Sequence, residues 1–76
     1  MLLKKDAMKA KIEWFDPKKG YGFALTDDGR SIFCHYSKVL MQGYKTLKKG
    51  QIIVFDLYED TKGLYAENII VNEGND

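Results

Sequence analysis

An all-β domain closed into a small barrel is the architecture this sequence predicts, and three observations carry it. Apolar and aromatic residues recur at every second position in short runs, no run repeats with the spacing of an amphipathic helix, and turn-forming residues fall between the runs. A chain of 76 residues holds one domain, close to the lower limit of what a core without covalent staples supports. Closing the sheet removes the exposed edges that would otherwise pair with other chains. The single cysteine, Cys34, has no partner for an internal disulfide, and one histidine leaves no His/Cys ligand set for a structural zinc. Neither a metal nor a cofactor is expected.

The elements follow in order. Residues 9–16, KAKIEWFD, read as a first strand ended by Asp16-Pro17, because proline cannot donate to a ladder and favours a turn. Residues 20–26 (GYGFALT) and 31–36 (SIFCHY) alternate and are joined by Asp27-Asp28-Gly29-Arg30, a strong short-range hairpin signal, so these two strands should pair. After Tyr36, SKVL reads as one helical turn and QGYKTLKKG as a polar loop closed by Gly50; a loop that long in so small a domain is where function is sought. QIIVFDLYE is the fourth strand, with Ile53, Phe55 and Leu57 on one face, and LYAENIIV, after Asp60-Thr61-Lys62-Gly63, is the fifth. Residues 9–71 thus form the domain, 1–8 read as a flexible N-terminal extension and 72–76 as a frayed tail. MLLKKDAMK contains no continuous hydrophobic stretch, so neither a signal peptide nor a membrane span is expected and a reduced cytoplasmic setting is the default.

Taken whole, a net charge of +1 argues against a nucleic-acid binder. The distribution argues the other way. Residues 1–50 hold 11 Lys/Arg against 5 Asp/Glu, whereas residues 51–76 hold 1 against 6. Seven of the ten aromatic residues, Trp14 to Tyr44, lie in the basic part, which is the interleaving of rings and cations that a single-strand-binding surface uses. A solvated charge bias with no partner is the bland alternative.

Alternation does not decide which face of the second and third strands is buried. One assignment puts Tyr21, Phe23 and Leu25 in the core and Gly22 and Ala24 outside. The other starts from His35, whose ring nitrogens want water or a partner: if His35 faces out, so does Phe33, and through the hairpin so do Tyr21 and Phe23, with Ala24, Ile32 and Cys34 inside. Both stay open on periodicity alone.

WFDPKKGYGFA and SIFCHYS resemble the two ribonucleoprotein-type motifs of the cold-shock domain, and the similarity extends from about Lys11 to Ile69 through GYKTLKKGQ and the AEN near the end. The resemblance implies a five-stranded antiparallel OB-fold barrel that binds single-stranded RNA or DNA with low sequence preference and acts as an RNA chaperone or as a regulator of transcription or translation. Carried over by position, it implies stacking rings at Trp14, Tyr21, Phe23, Phe33, His35 and, from the long loop, Tyr44, with Tyr36 beside them. Lys19 would contact the backbone of the strand and Phe15 would be a partly buried neighbour. Departures from the pattern stand at Glu13 and Asp16, which add negative charge near the expected face, at Ala24, where a larger aliphatic residue is usual, and at Leu64-Tyr65, where a more polar pair is usual.

The physical chemistry of such a surface is simple. Every base has a π-face, so an exposed ring stacks on any of them and affinity comes without much specificity. Gly20 and Gly22 leave space between the rings, or else fit the curvature of the barrel. Lys18, Lys19, Lys45 and Lys48 are candidates to follow the phosphates. No GxxxxGK phosphate cradle is present, so ATP use is not expected. An enzyme built on Cys34 and His35 is disfavoured because adjacent strand residues point to opposite faces. The alternative is a protein-interaction module that uses the same aromatic face. A monomer is expected in either case.

Overall fold

The computed structural model describes residues 3–40 and 47–72. The alternation resolves into five strands, β1 (Leu3–Asp16), β2 (Tyr21–Leu25), β3 (Ser31–His35), β4 (Ile52–Asp60) and β5 (Gly63–Asn72), with one 3-10 turn at Tyr36–Lys38. They close into a barrel in the order β1-β2-β3-β5-β4, an all-β architecture consistent with the OB-fold expected from the sequence.

The expected antiparallel barrel carries one parallel seam: β3 and β5 run parallel where they meet, at Phe33 and Tyr65. An odd number of strands cannot alternate in direction all the way around a closed ring, so one seam has to be parallel. The other four pairings are antiparallel.

The first strand is longer than the 9–16 its alternation suggests: β1 begins at Leu3 and pairs with β4 at Leu3↔Glu59, Lys4↔Tyr58 and Lys5↔Leu57. The physical reason lies in β4, which runs to Asp60 and, paired with β5 on one edge, would otherwise leave the other edge of its outer half without a ladder partner. The register shifts between Lys5 and Met8, so this outer segment joins the regular ladder through an irregularity. At the other end β5 continues to Asn72, opposite Ile52.

The interior is small and apolar: Ile12, Ala24, Ile32, Cys34, Val39, Ile53, Phe55, Leu57, Ala66 and Ile69 are almost fully enclosed. Ile53, Phe55 and Leu57 share the inner face of β4 as their spacing predicts. Leu47 and Ala10 extend this core, and Met8, Phe15, Leu64 and Val71 pack against it. On β5 the inward residues Ala66 and Ile69 are three apart rather than two. Asn68 absorbs the extra residue at φ 51°, and its side-chain amide donates to Asp56 Oδ2 at 2.8 Å.

Candidate nucleic-acid interface

The open question of the β2–β3 face is settled by burial. Gly22, Ala24, Ile32 and Cys34 point inward, while Tyr21, Phe23, Phe33 and His35 lie half-buried on the outer surface. The hairpin pairs Tyr21↔His35, Gly22↔Cys34, Phe23↔Phe33 and Ala24↔Ile32, so inside a glycine or alanine faces each larger partner, Cys34 or Ile32, while rings oppose rings outside. The turn that sets this register is well tied. Gly29 takes φ +87°, Thr26 and Arg30 close the loop backbone to backbone at 3.0 Å, and Asp28 accepts from the Thr26 hydroxyl and from Arg30 Nε. Those two hydrogen bonds, the Thr26 bond first, hold the Asp28 carboxyl below its usual range.

Trp14 reaches the same surface by a device that periodicity alone does not reveal. Ile12 and Trp14 are two apart and in a regular strand would share a face, yet Ile12 is 1% exposed and Trp14 44%. The register against β2 shifts between them, so Glu13 is an extra residue in the ladder and Trp14 is turned outward, opposite Phe23. Phe15 then turns inward opposite Gly22 and packs on the core. A side chain at Gly22 is excluded there: a Cβ would collide with the Trp14 carbonyl oxygen and lie 2.7 Å from the Phe15 Cα. Gly22 therefore serves the bulge. Gly20, at φ +81°, serves the following turn, where a Cβ would lie 2.6 Å from the Tyr36 ring.

The outcome is a continuous aromatic surface. Trp14 lies 5.9 Å from Tyr21 and 5.6 Å from Phe23 between ring centroids, Phe23 lies 5.6 Å from Phe33, and Tyr21 lies 5.7 Å from Phe33. Beside them the His35 and Tyr36 rings are 4.8 Å apart, and Tyr36 is 46% exposed. His35 is oriented by the 3-10 turn it caps: Nδ1 accepts from the Ser37 backbone N–H at 3.2 Å and lies 2.8 Å from the Ser37 hydroxyl. An imidazole that accepts at Nδ1 carries its proton on Nε2 and offers a donor away from the turn.

The predicted charged residues divide. Lys19 is exposed in the β1–β2 turn. Asp16 is part of that turn's construction, because its Oδ1 accepts from the backbone N–H groups of Lys18 at 2.9 Å and Lys19 at 3.2 Å, the geometry of an Asx turn. Glu13 is exposed at the bulge. Lys18 and Lys48 are exposed as well. Tyr44 and Lys45 lie outside the described residues.

Cys34 and His35 are separated as strand geometry requires, the thiol sealed in the core and the imidazole on the surface. Burial pushes the Cys34 thiol up to about 12, and its S–H donates only weakly, to the Ile32 carbonyl at 3.6 Å. No thiolate nucleophile is available at neutral pH from such a group.

Sequence reasoning missed a second ring pair. Tyr58 on β4 and Tyr65 on β5 face each other across the hairpin and stack with centroids 5.6 Å apart and planes at 21°. Between Tyr65 and Phe33 opens a groove of about 560 Å³, walled by Phe23, Phe33, Leu64 and Tyr65, with Lys62 and Asp60 on its rim from the β4–β5 turn. The available signal was Tyr58, which falls one residue out of step with Phe55 and Leu57 and so on the opposite face of the fourth strand.

Comparison with known proteins points the same way. The model of the 'Cold-shock' DNA-binding domain matches residues 8–72. A cold shock-like protein of Thermotoga maritima is 47% identical over 66 residues, covering 87% of this chain and all of the relative. One from Aquifex aeolicus is 42% identical over 66 residues, covering 86% and 94%. The major cold shock protein of Streptococcus pyogenes is 41% identical over 58 residues, covering 76% and 87%.

Proposed function

Because this chain belongs to the cold-shock domain family, we propose that it binds single-stranded RNA and DNA with little sequence preference by stacking unpaired bases on its outer aromatic face. The observation that carries this reading is the placement of Trp14, Tyr21, Phe23 and Phe33 outside a barrel whose interior is already filled by Ala24, Ile32 and Cys34. A core fold has no need of four neighbouring rings on its surface; a strand of bases does. Each ring contributes roughly 1–3 kcal/mol per stacked base, and it does so for any base.

The roles follow from position. Trp14, Tyr21, Phe23 and Phe33 form the stacking floor, His35 adds a flat face and a donor, Tyr36 extends the surface, and Lys19 pairs with the phosphates; a stacking role for Tyr44 rests on the family resemblance alone. Binding of this kind holds strands unpaired and shifts them away from hairpins by mass action, without fuel. That is the physical content of an RNA chaperone, and a transcript or message held open is equally a point of regulation. We place this activity in the cytoplasm, and in a monomer, since Trp14, Tyr21, Phe23 and Phe33 come together within one chain.

Titration of Trp14 fluorescence with unstructured pyrimidine-rich and purine-rich RNA and DNA tests the reading. Salt-dependent quenching by both classes is expected. A flat titration with all of them would instead favour a protein partner for the same aromatic surface.

A further inference from the structure

We propose that Tyr65 and Tyr58 form a second stacking platform, which takes a further unpaired base of the bound strand and carries it from the β1–β2–β3 face onto β5 and β4. The proposal rests on the reading of the aromatic face as the nucleic-acid surface. Its starting point is the parallel seam that closes the barrel, where Tyr65 stands in register with Phe33. The seam joins the outer face of the hairpin to the outer face of β5 without an intervening element. Tyr58 then lies opposite Tyr65 on β4, so rings line a path across three neighbouring strands.

The groove between the two ring groups has room for a base. Its volume of about 560 Å³ falls within the usual range of small-ligand pockets. Phe23, Phe33, Leu64 and Tyr65 are among the residues that line it, so an inserted base would meet apolar and aromatic side chains.

Charge distinguishes a base from a phosphate here. Asp60 lines the groove itself, and Glu67 lies close enough to act on the Tyr65 hydroxyl. Lys38 lies 3.1 Å from Glu67 and balances it. These carboxylates disfavour a phosphate beside the rings, whereas a neutral base is not repelled, and Lys62, which lines the groove with Asp60, can receive the adjoining phosphate. The β4–β5 turn beside the platform is tied by the Lys62 backbone N–H, which donates to Asp60 Oδ1 at 2.8 Å, and Gly63 turns the chain at φ +127°. Desolvation, reinforced by Glu67 and Asp60, raises the Tyr65 hydroxyl above its usual range.

A cross-strand tyrosine pair also stabilises a hairpin in its own right, and the experiment separates the two roles. Binding of unstructured oligonucleotides from about four to about sixteen nucleotides long, the span of site sizes of such barrels, is followed by Trp14 quenching. The wild type is compared with Tyr65→Leu, Tyr65→Phe, Tyr58→Leu and Phe33→Ala, each checked for folding by circular dichroism. The expected result is that Tyr65→Leu binds the longest oligonucleotides about 5- to 150-fold more weakly and the shortest ones unchanged. Tyr65→Phe, which keeps the ring, should bind like the wild type at every length, and Tyr58→Leu should lose part of the same gain.

Wild-type length dependence in Tyr65→Leu, with Phe33→Ala still impaired, overturns the platform and leaves the main face standing. Absence of quenching with every oligonucleotide overturns the face, and the platform with it. Should Tyr65→Leu fail to fold, Tyr58→Leu decides: wild-type affinity for long oligonucleotides in that variant overturns the proposal.

Discussion

The two sides of the β2–β3 hairpin are nearly opposite in character. Inside stand Gly22, Ala24, Ile32 and Cys34, all enclosed; outside stand Tyr21, Phe23, Phe33 and His35, half in contact with solvent. In most half-buried sheets the larger apolar side chains turn inward. Here the hairpin offers the interior no ring, only Gly22, Ala24, Ile32 and Cys34, and Phe55 from β4, with isoleucines from β1, β4 and β5, completes the core. The rings left outside are not failed core residues. The lesson is that side-chain size reports the space available on each face, whereas hydrophobicity alone does not say which face is buried.

The comparison can be broken most severely from within. Ile32→Ala empties a site with no exposure at all and should destabilise the domain by about 2–5 kcal/mol, read from urea unfolding. Whatever fraction remains folded should bind oligonucleotides with unchanged affinity, because the outer rings are untouched. Loss of affinity without loss of stability would mean that the inner and outer faces had been exchanged.

The reciprocal change is Phe33→Ala on the outside. It should weaken binding by roughly 1–3 kcal/mol while the domain stays folded, the two quantities measured on one preparation by Trp14 titration and urea unfolding. If it costs about 3–5 kcal/mol of stability, as a buried phenylalanine would, the ring belongs to the core.

Cys34 sharpens the contrast through pH. Its thiol titrates near 9.0 when free and is pushed up to about 12 in the fold, so above pH 9 the unfolded chain releases a proton that the folded chain keeps. Stability from this group is therefore intact below pH 9 and declines by up to about 1.4 kcal/mol per pH unit as the pH rises toward 12. Urea midpoints measured across that window should fall more steeply in the wild type than in Cys34→Ala. Equal slopes would place the thiol in contact with water.

The smallest effect is expected at the rim of the face. Glu13→Lys removes one exposed repulsion and adds one cation, so binding should strengthen, most at low salt, with the log–log salt slope steeper by about 0.7 for a single strand. An unchanged affinity and slope would show that the bulge turns this position away from the phosphates. Asp16 is a poorer site for the same test, since its carboxylate also holds the Lys18 and Lys19 amides and its replacement would disturb the turn.

The sequence by itself determined the five strands, the hairpin register from Asp27-Asp28-Gly29-Arg30, the inner face of β4, and the residues from which a stacking surface could be made. These rest on local physics: alternation, turn chemistry, and the lack of any helical period. It also contained the parallel seam, since five strands in a ring demand one. What only the tertiary structure decided was which way each ring faces and what it meets. The outward turn of Trp14 depends on a bulge at Glu13 that exists only once β1 is paired with β2, and the role of Gly22 depends on how closely those two backbones approach. The strand character of residues 3–8 depends on the free edge of β4, some fifty residues away along the chain. Tyr58 and Tyr65 meet across a local hairpin, but the alignment of Phe33 with Tyr65 depends on closure itself, because the third and fifth strands become neighbours only when the sheet meets its own far side.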